Sequence, residues 1–329
     1  MNLAEFAKQL NLSVGTVSRA FNNHPEVSAK TREHVLRKAQ EMGFSRNAAA
    51  RRLVTGRSYL LQLECPFNTQ ILADRYLVEL ARALEQAARD KGYDLMLHLG
   101  AHHHAAEAQT VDGIIVMSAP EMTEADLRRL TGAGRTPAVV VTELAPIPAP
   151  KTAYVCLDTL TGVREAYQLL AAKGHKRIGY IGNVHPGYRL PSALPGLMAD
   201  LGLTWIPDLA VEAGETQELG IAAATRLLKR ADRPTALFCR TDILGSAAIQ
   251  AAVDLGLRVP DDVSVVGHDD IEIASYWRPP LTTVSLNIPS IALAAMNVLL
   301  SMIRDKAEPS IQVLGTHLVV RASVAAAPH

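Results

Sequence analysis

Leu3, Phe6, Ala7 and Leu10 fall at the i, i+3, i+4, i+7 spacing of one helical face, and Asn2 stands where an N-cap belongs. After a short turn, "NLS", a second helix is predicted from Val14 to Phe21, capped by Ser13. It turns Val17, Ala20 and Phe21 inward and leaves Gly15, Thr16, Ser18, Arg19 and Asn22 outward. A third helix is predicted from Ala29 to Met42, capped by Ser28. Val35, Leu36, Ala39 and Met42 form its apolar stripe, and Gly43 ends it. Two short helices across a tight turn, with a third closing a small core, make a helix-turn-helix.

The texture changes after Ser58. "YLLQLE", "YDLMLH", "GIIVM" and "AVVVT" read as strands, with helices near 75–90 and 123–133. "AYVCLD", "RIGYIG", "TALFC" and "VSVVG" repeat the pattern, with helices near 159–173, 216–230 and 242–255. Continuous apolar strands joined by helical crossovers imply α/β parallel sheets covered on both faces. Two such sets imply two lobes with a cleft between them, and ligands in such folds sit beyond the carboxyl ends of the strands. The expected organisation is a headpiece over 1–45, a linker over 46–58 and a two-lobed body over 59–329.

Composition sharpens this picture in three places. A chain of 329 residues with 48% hydrophobic content can bury the cores of two or three units. It contains no apolar run of about 20 residues and no signal-peptide core, so no membrane span is expected and a cytoplasmic location is. Cys65, Cys156 and Cys239 lie far apart in or beside apolar strands and read as buried free thiols. Net charge is zero overall, yet residues 1–58 hold ten basic and four acidic residues. That head carries +6, which leaves −6 for the rest, so a polyanion partner is expected for the head alone.

The outward face of the second helix fits a DNA major groove. It is small near the backbone, and Arg19 can bond two acceptors of one guanine. Thr16, Ser18, Asn22, Ser28 and Thr31 can hydrogen-bond phosphates. The stretches "LSVGTVSRAFNN", "VSAKTREHVLRKAQEMGF" and "RNAAARRL" resemble the headpiece of the lactose-repressor family of bacterial transcription regulators. That resemblance implies that Val14, Gly15 and Arg19 read bases, with Val14–Gly15 setting operator choice. It also implies that residues 46–58, a short helix or a plain linker by pattern alone, order on DNA. Two copies then meet in the minor groove, where Leu53 wedges between base pairs beside Asn47, Ala50 and Arg51.

The resemblance runs on through "AAKGHKRIGYIG", "CRTDILGSAAIQAAVDLGLRVPDDVSVVGHDD" and "RPPLTTV". It implies a periplasmic-binding-protein-like effector domain, a homodimer, a near-palindromic double-stranded operator and a sugar-like effector, either inducer or co-repressor. Residues matching Asp269, Thr241 and Arg189 contact effectors in the family. Asp269 follows a buried strand, where a carboxylate can accept two hydroxyls; the plainer reading is a helix cap, as it is for Asp242 and Asp270. Glu215, Asp74 and Tyr76 complete the candidate effector set. Four departures stand out: Ser192 between Pro191 and Pro195, Glu215 where an aromatic often stacks, Thr241 for a common asparagine, and a crossover of about ten residues around His102–His104. Three adjacent histidines point in different directions and close no metal site. His268 beside two aspartates has no nucleophile near it in the sequence, so neither catalysis nor a cofactor is expected. The other function class, a sugar-binding transport component, would need a signal peptide.

Overall fold

Three short amphipathic segments open the chain and pack around Phe6, Ala7, Val17, Ala20, Val27, Val35 and Ala39. The computed structural model describes residues 3–21, 24–42, 57–66, 74–99, 111–119, 121–184 and 189–328, and divides them into two units, 1–59 and 60–329. In the first unit α1 is Leu3–Gln9, α2 is Val14–Phe21 and α3 is Ala29–Glu41. Ser13 Oγ accepts from Thr16 N–H at 2.9 Å and Ser28 Oγ from Thr31 N–H at 3.2 Å, so each hydroxyl satisfies a donor that the helix start leaves open. Phe21 is half-buried, with its ring 6.1 Å from that of Phe6. The expected stripe of α3 is too wide. Val35 and Ala39, one turn apart, are buried, but Leu36 is 47% exposed and Met42 38%. Leu36 sits about 100° round the helix from Val35, and two short partner helices cover only a narrow face. The expected roles of Asn2 and Gly43, the linker segment 46–56 and the crossover with its three histidines lie outside the described residues.

In the second unit the chain alternates strand and helix: β1 Leu60–Cys65, α4 Arg75–Asp90, β2 Asp94–Leu99, β3 Gly113–Met117, α5 Glu124–Leu130, β4 Ala138–Thr142 and β5 Thr152–Asp158. It then runs through α6 Thr159–Ala172, β6 Ile178–Gly182, α7 Arg189–Asp200, β7 Ala210–Glu212, α8 Gln217–Leu228, β8 Ala236–Cys239, α9 Asp242–Asp254 and β9 Ser264–Asp269. It ends with β10 Thr282–Ser285, α10 Ile288–Arg304, β11 Ile311–Gly315 and β12 His317–Val319. One sheet has the order β11-β5-β4-β3-β1-β2, and the other β12-β10-β9-β8-β6-β7. All described pairings are parallel except β10 with β12.

The strands are buried because helices cover both faces, and therefore they read as apolar runs rather than alternations. In the second sheet, Leu237, Val265 and Cys239 pack under α8 and α9, while Phe238, Tyr180 and Val266 face α6 and α7. The chain passes between lobes at three places: 158–159, 285–288 and 315–317. These crossings lie together. Thr316 Oγ1 donates to Asp158 O at 2.8 Å and accepts from Gly162 N–H at 3.0 Å. A Cβ on Gly162 would stand 2.6 Å from Val284 Cγ1 and 2.8 Å from Thr316 Oγ1, so only glycine lets α6 start this close to the crossings. Both sheets point the ends of their central strands, β4, β8 and β9, at the gap between the lobes.

Candidate nucleic-acid interface and ligand cleft

The outward face of α2 carries the predicted side chains. Val14 is 45% exposed and Gly15 is exposed; Thr16 and Ser18 are half-buried. Arg19 is exposed on this face as expected, and its guanidinium is engaged within the headpiece. Its Nη1 donates to Glu26 Oε2 at 2.9 Å, and its Nε donates to Gly15 O at 3.3 Å. Both partners of this ion pair are at least half exposed, so solvent screens it and base contact can replace it at small cost. Thr16 and Ser28 act as a cap partner and a cap, and Thr31 Oγ1 lies 2.9 Å from Ser28 Oγ. Asn22, Asn47, Ala50, Arg51 and Leu53 lie outside the described residues.

Asp269 ends β9 with φ at 116°, and Asp270 follows at 59°. Two consecutive residues in this region store strain of about 1–3 kcal/mol each, and they turn the chain sharply at the cleft. The corner is tied from below by Asp242. This buried carboxylate accepts from Ile271 N–H at 2.9 Å and from the Thr283 hydroxyl. Asp242 and Asp270 are therefore not helix caps. Thr241 is the N-cap of α9, accepting from Leu244 N–H at 3.3 Å, and Asp270 pairs with Arg321 at 2.6 Å.

Beside Asp269 stands Arg240, which is not among the residues expected from the sequence. Its Nη2 donates to both oxygens of Glu143, at 2.9 and 3.1 Å. Its Nη1 lies 3.1 Å from His268 Nδ1 and 4.0 Å from Asp269 Oδ1. His268 is fully buried, with Nδ1 also 3.1 Å from Asp269 Oδ1. Burial, and then Arg240, push its pKa well below the usual histidine value, so it is a neutral positioning group. Burial works against the arginine charge, but Glu143, Asp269 and Glu215 outweigh it and hold the guanidinium charged. For Asp269, burial and then repulsion from Asp242 push the pKa well above the usual carboxylate range, and Arg240 offsets this only in part.

Glu215, in the turn before α8, keeps an exposed face and still feels Arg240; burial raises its pKa. Asp74 caps α4 by accepting from Leu77 N–H at 3.2 Å, and its pKa is raised by burial. Tyr76 projects from the same turn and packs against the apolar core of the other lobe, close enough to Asp269 for that charge to raise its pKa further. Arg189 opens α7 and lines a groove of about 900 Å³ with Leu144, Cys156, Asp158, Ser192 and Val313. Leu144 directly follows Glu143, so the groove and the charged cluster share the end of β4. Cys65 and Cys239 are buried as expected, but Cys156, on this groove, is only partly so. The signal for Arg240 and Glu143 was present. Each follows an apolar strand, "ALFC" or "AVVVT", in the position that singled out Asp269.

Among the described residues no group of side chains is placed to hold a metal, and no helix is long and apolar enough to cross a membrane. The family of bacterial regulatory proteins called lacI matches residues 2–47, and a periplasmic binding protein-like domain matches residues 167–324. The HTH-type transcriptional regulator CelR of Thermobifida fusca is 32% identical over 322 residues, which cover 94% of each chain. The HTH-type transcriptional repressor PurR of Salmonella paratyphi B is 32% identical over 339 residues, covering 99% of this chain and 97% of its own. The solved complex of a transcriptional regulator CelR with cellobiose matches with a TM-score of 0.71 at 28% identity, covering 98% of this chain and 99% of that one.

Proposed function

The chain belongs to the lacI family of bacterial regulatory proteins, and we propose on that footing that it is a homodimeric repressor released from a near-palindromic operator by a sugar-like effector. As a family member it is a ligand-responsive, DNA-binding transcription regulator and not an enzyme. The headpiece sets α2 into the major groove. Val14, Gly15 and Arg19 read base edges, and Thr16, Ser18, Asn22, Ser28 and Thr31 bond phosphates. Asn47, Ala50, Arg51 and Leu53 enter the minor groove, where the leucine props a central step open. DNA binding places the protein in the cytoplasm.

The observation that carries the effector reading is Asp269. It is a buried carboxylate on a strained corner, at the end of a central strand and facing the gap between two lobes. Asp74 and Glu215 lie close enough to feel Arg240, and Tyr76 close enough to feel Asp269; Thr241 follows Arg240, and Arg189 lines the adjoining groove. We assign all five to the effector site with Asp269. A buried carboxyl group so placed can hydrogen-bond two adjacent hydroxyls, and a relative of similar fold binds cellobiose. Hydrogen bonds of this kind are worth about 0.5–1.5 kcal/mol each, and leaving their partners unpaired adds about 1–3 kcal/mol. Asp269→Ala therefore lowers effector affinity roughly 10- to 100-fold and leaves operator affinity unchanged, because a ligand shifts the equilibrium only by its differential affinity for the two states. Calorimetry with cellobiose and other disaccharides, beside gel-shift titration of the same variant, tests this. Equal affinity in mutant and wild type would reduce Asp269 to a corner residue. The direction of the gel-shift response separates release by the ligand from co-repression.

A further inference from the structure

Arg240 and Glu143 belong to different lobes. Arg240 leaves β8, Glu143 leaves β4, and their side chains keep only 18% and 23% exposure. The arginine is held in place from its own lobe. A Cβ on Gly182, the last residue of β6, would come within 2.3 Å of Arg240 Cβ, so the absence of a side chain there lets the arginine stem lie down. His268 Nδ1 meets its Nη1 at 3.1 Å. The remaining donors of the guanidinium fork are thus aimed at the opposite lobe, where Glu143 takes both of its bonds from Nη2.

We propose that the Arg240–Glu143 pair is a latch between the lobes, and that the effector releases it by supplying the donors Glu143 receives from Arg240. This rests on the reading of the cleft as the effector site. Glu143 stands on one lobe and Arg240 on the other, and the guanidinium joins them by a bidentate attraction in surroundings drier than an exposed surface pair. Whatever free energy the latch holds is subtracted from effector binding, since the competent released state is populated only in part. The groups to be satisfied also set the class of ligand. Glu143 needs donors once Arg240 lets go, so the latch is released by molecules rich in hydroxyl or amine donors.

The test needs neither effector nor DNA, so its outcome is independent of the Asp269 calorimetry. Hydrogen exchange is followed on the full chain for peptides covering 143–149 and 240–246, together with the radius of gyration from solution scattering. Glu143→Gln and Arg240→Met each speed exchange in both peptides at least five-fold and expand the particle. The double variant goes no further than the stronger single one, because the two residues act as a unit. Raising sodium chloride to 0.5 M moves wild type in the same direction and leaves the variants where they are. Glu143→Gln keeps the shape of the side chain and carries the test alone if Arg240→Met folds poorly. Unchanged exchange in a natively folded Glu143→Gln protein, or additive effects in the double variant, overturns the latch.

Discussion

Arg19 is the one long basic side chain on the outward face of α2, and it lies against Glu26 and Gly15 O. The ion pair is exposed, so a guanine contact could replace it at small cost. Each bidentate guanine contact is worth roughly 1–3 kcal/mol of discrimination. Arg19→Ala thus lowers operator affinity by that amount per half-site while affinity for random DNA falls much less. Competition gel shifts read the ratio directly, and an unchanged ratio would show that Arg19 contacts only the backbone. Asp242 gives a second residue-scale prediction. Burial lifts its pKa well above the ordinary carboxylate range, although bonds from Thr283 and Ile271 oppose the rise. The folded state therefore holds this proton more tightly than the unfolded chain. That contribution is complete below about pH 4, the unfolded value, and is lost as pH rises through the folded one. Asp242→Asn removes the titration and keeps the acceptor for Ile271 N–H. Its melting temperature should rise against wild type between pH 5 and pH 8, by roughly 2–4 °C for each kcal/mol recovered. A difference that stays constant with pH would show that Asp242 is not the titrating group.

At the scale of elements, Thr241 starts α9 directly after Arg240. It accepts from Leu244 N–H at the start of α9, and losing such a cap costs about 1 kcal/mol. Thr241→Ala lowers the melting temperature of the body by a few degrees and Thr241→Ser does not; equal melting of the two variants would mean the cap is idle. The threonine was readable from sequence as a strand-end residue but not as a cap, because the neighbouring Asp242 looks equally able and only burial separates them. Eight parallel strands, β1–β6, β8 and β9, were legible, since near-continuous apolar runs such as "GIIVM" and "AVVVT" have one explanation in an α/β chain. The late elements were not. "IPSIALAAMNVLLSMIR" is apolar on nearly every side, so no periodicity marks it as α10. β11 leaves Ile311 and Val313 59% and 67% exposed on a sheet edge, and β12 has three residues. Helix α7 carries Pro191 and Pro195, which argue locally against a helix. The site suffered for a related reason: Arg240 and Glu143 become neighbours only because two separate sheets end at one gap, a fact no local pattern contains.

For the whole molecule, the three chain crossings make the two lobes one mechanical unit. α10 and β11 return to the first sheet after the second has been built, so neither lobe is complete without the tail of the chain. A change in cleft opening therefore reaches both ends of the body through the crossings at Thr316, Gly162 and Val284. The headpiece that must feel this change is small. Its core rests on seven buried residues, and a single module of this kind buries too little surface for tight specific binding. Two copies related by a dyad double the contacts, and they match half-sites one helical turn apart. The +6 charge of each head adds affinity for any DNA and none for sequence, so salt weakens specific and random binding alike. Specific affinity then depends on the dimer. Diluting the protein below its dimer dissociation constant should make operator occupancy fall with the square of total protein concentration, and half-operators should bind no better than random DNA. Sedimentation beside fluorescence anisotropy on whole and half-operators decides this: monomers with full operator affinity would show that one headpiece suffices and that the two-fold arrangement is not what the protein uses.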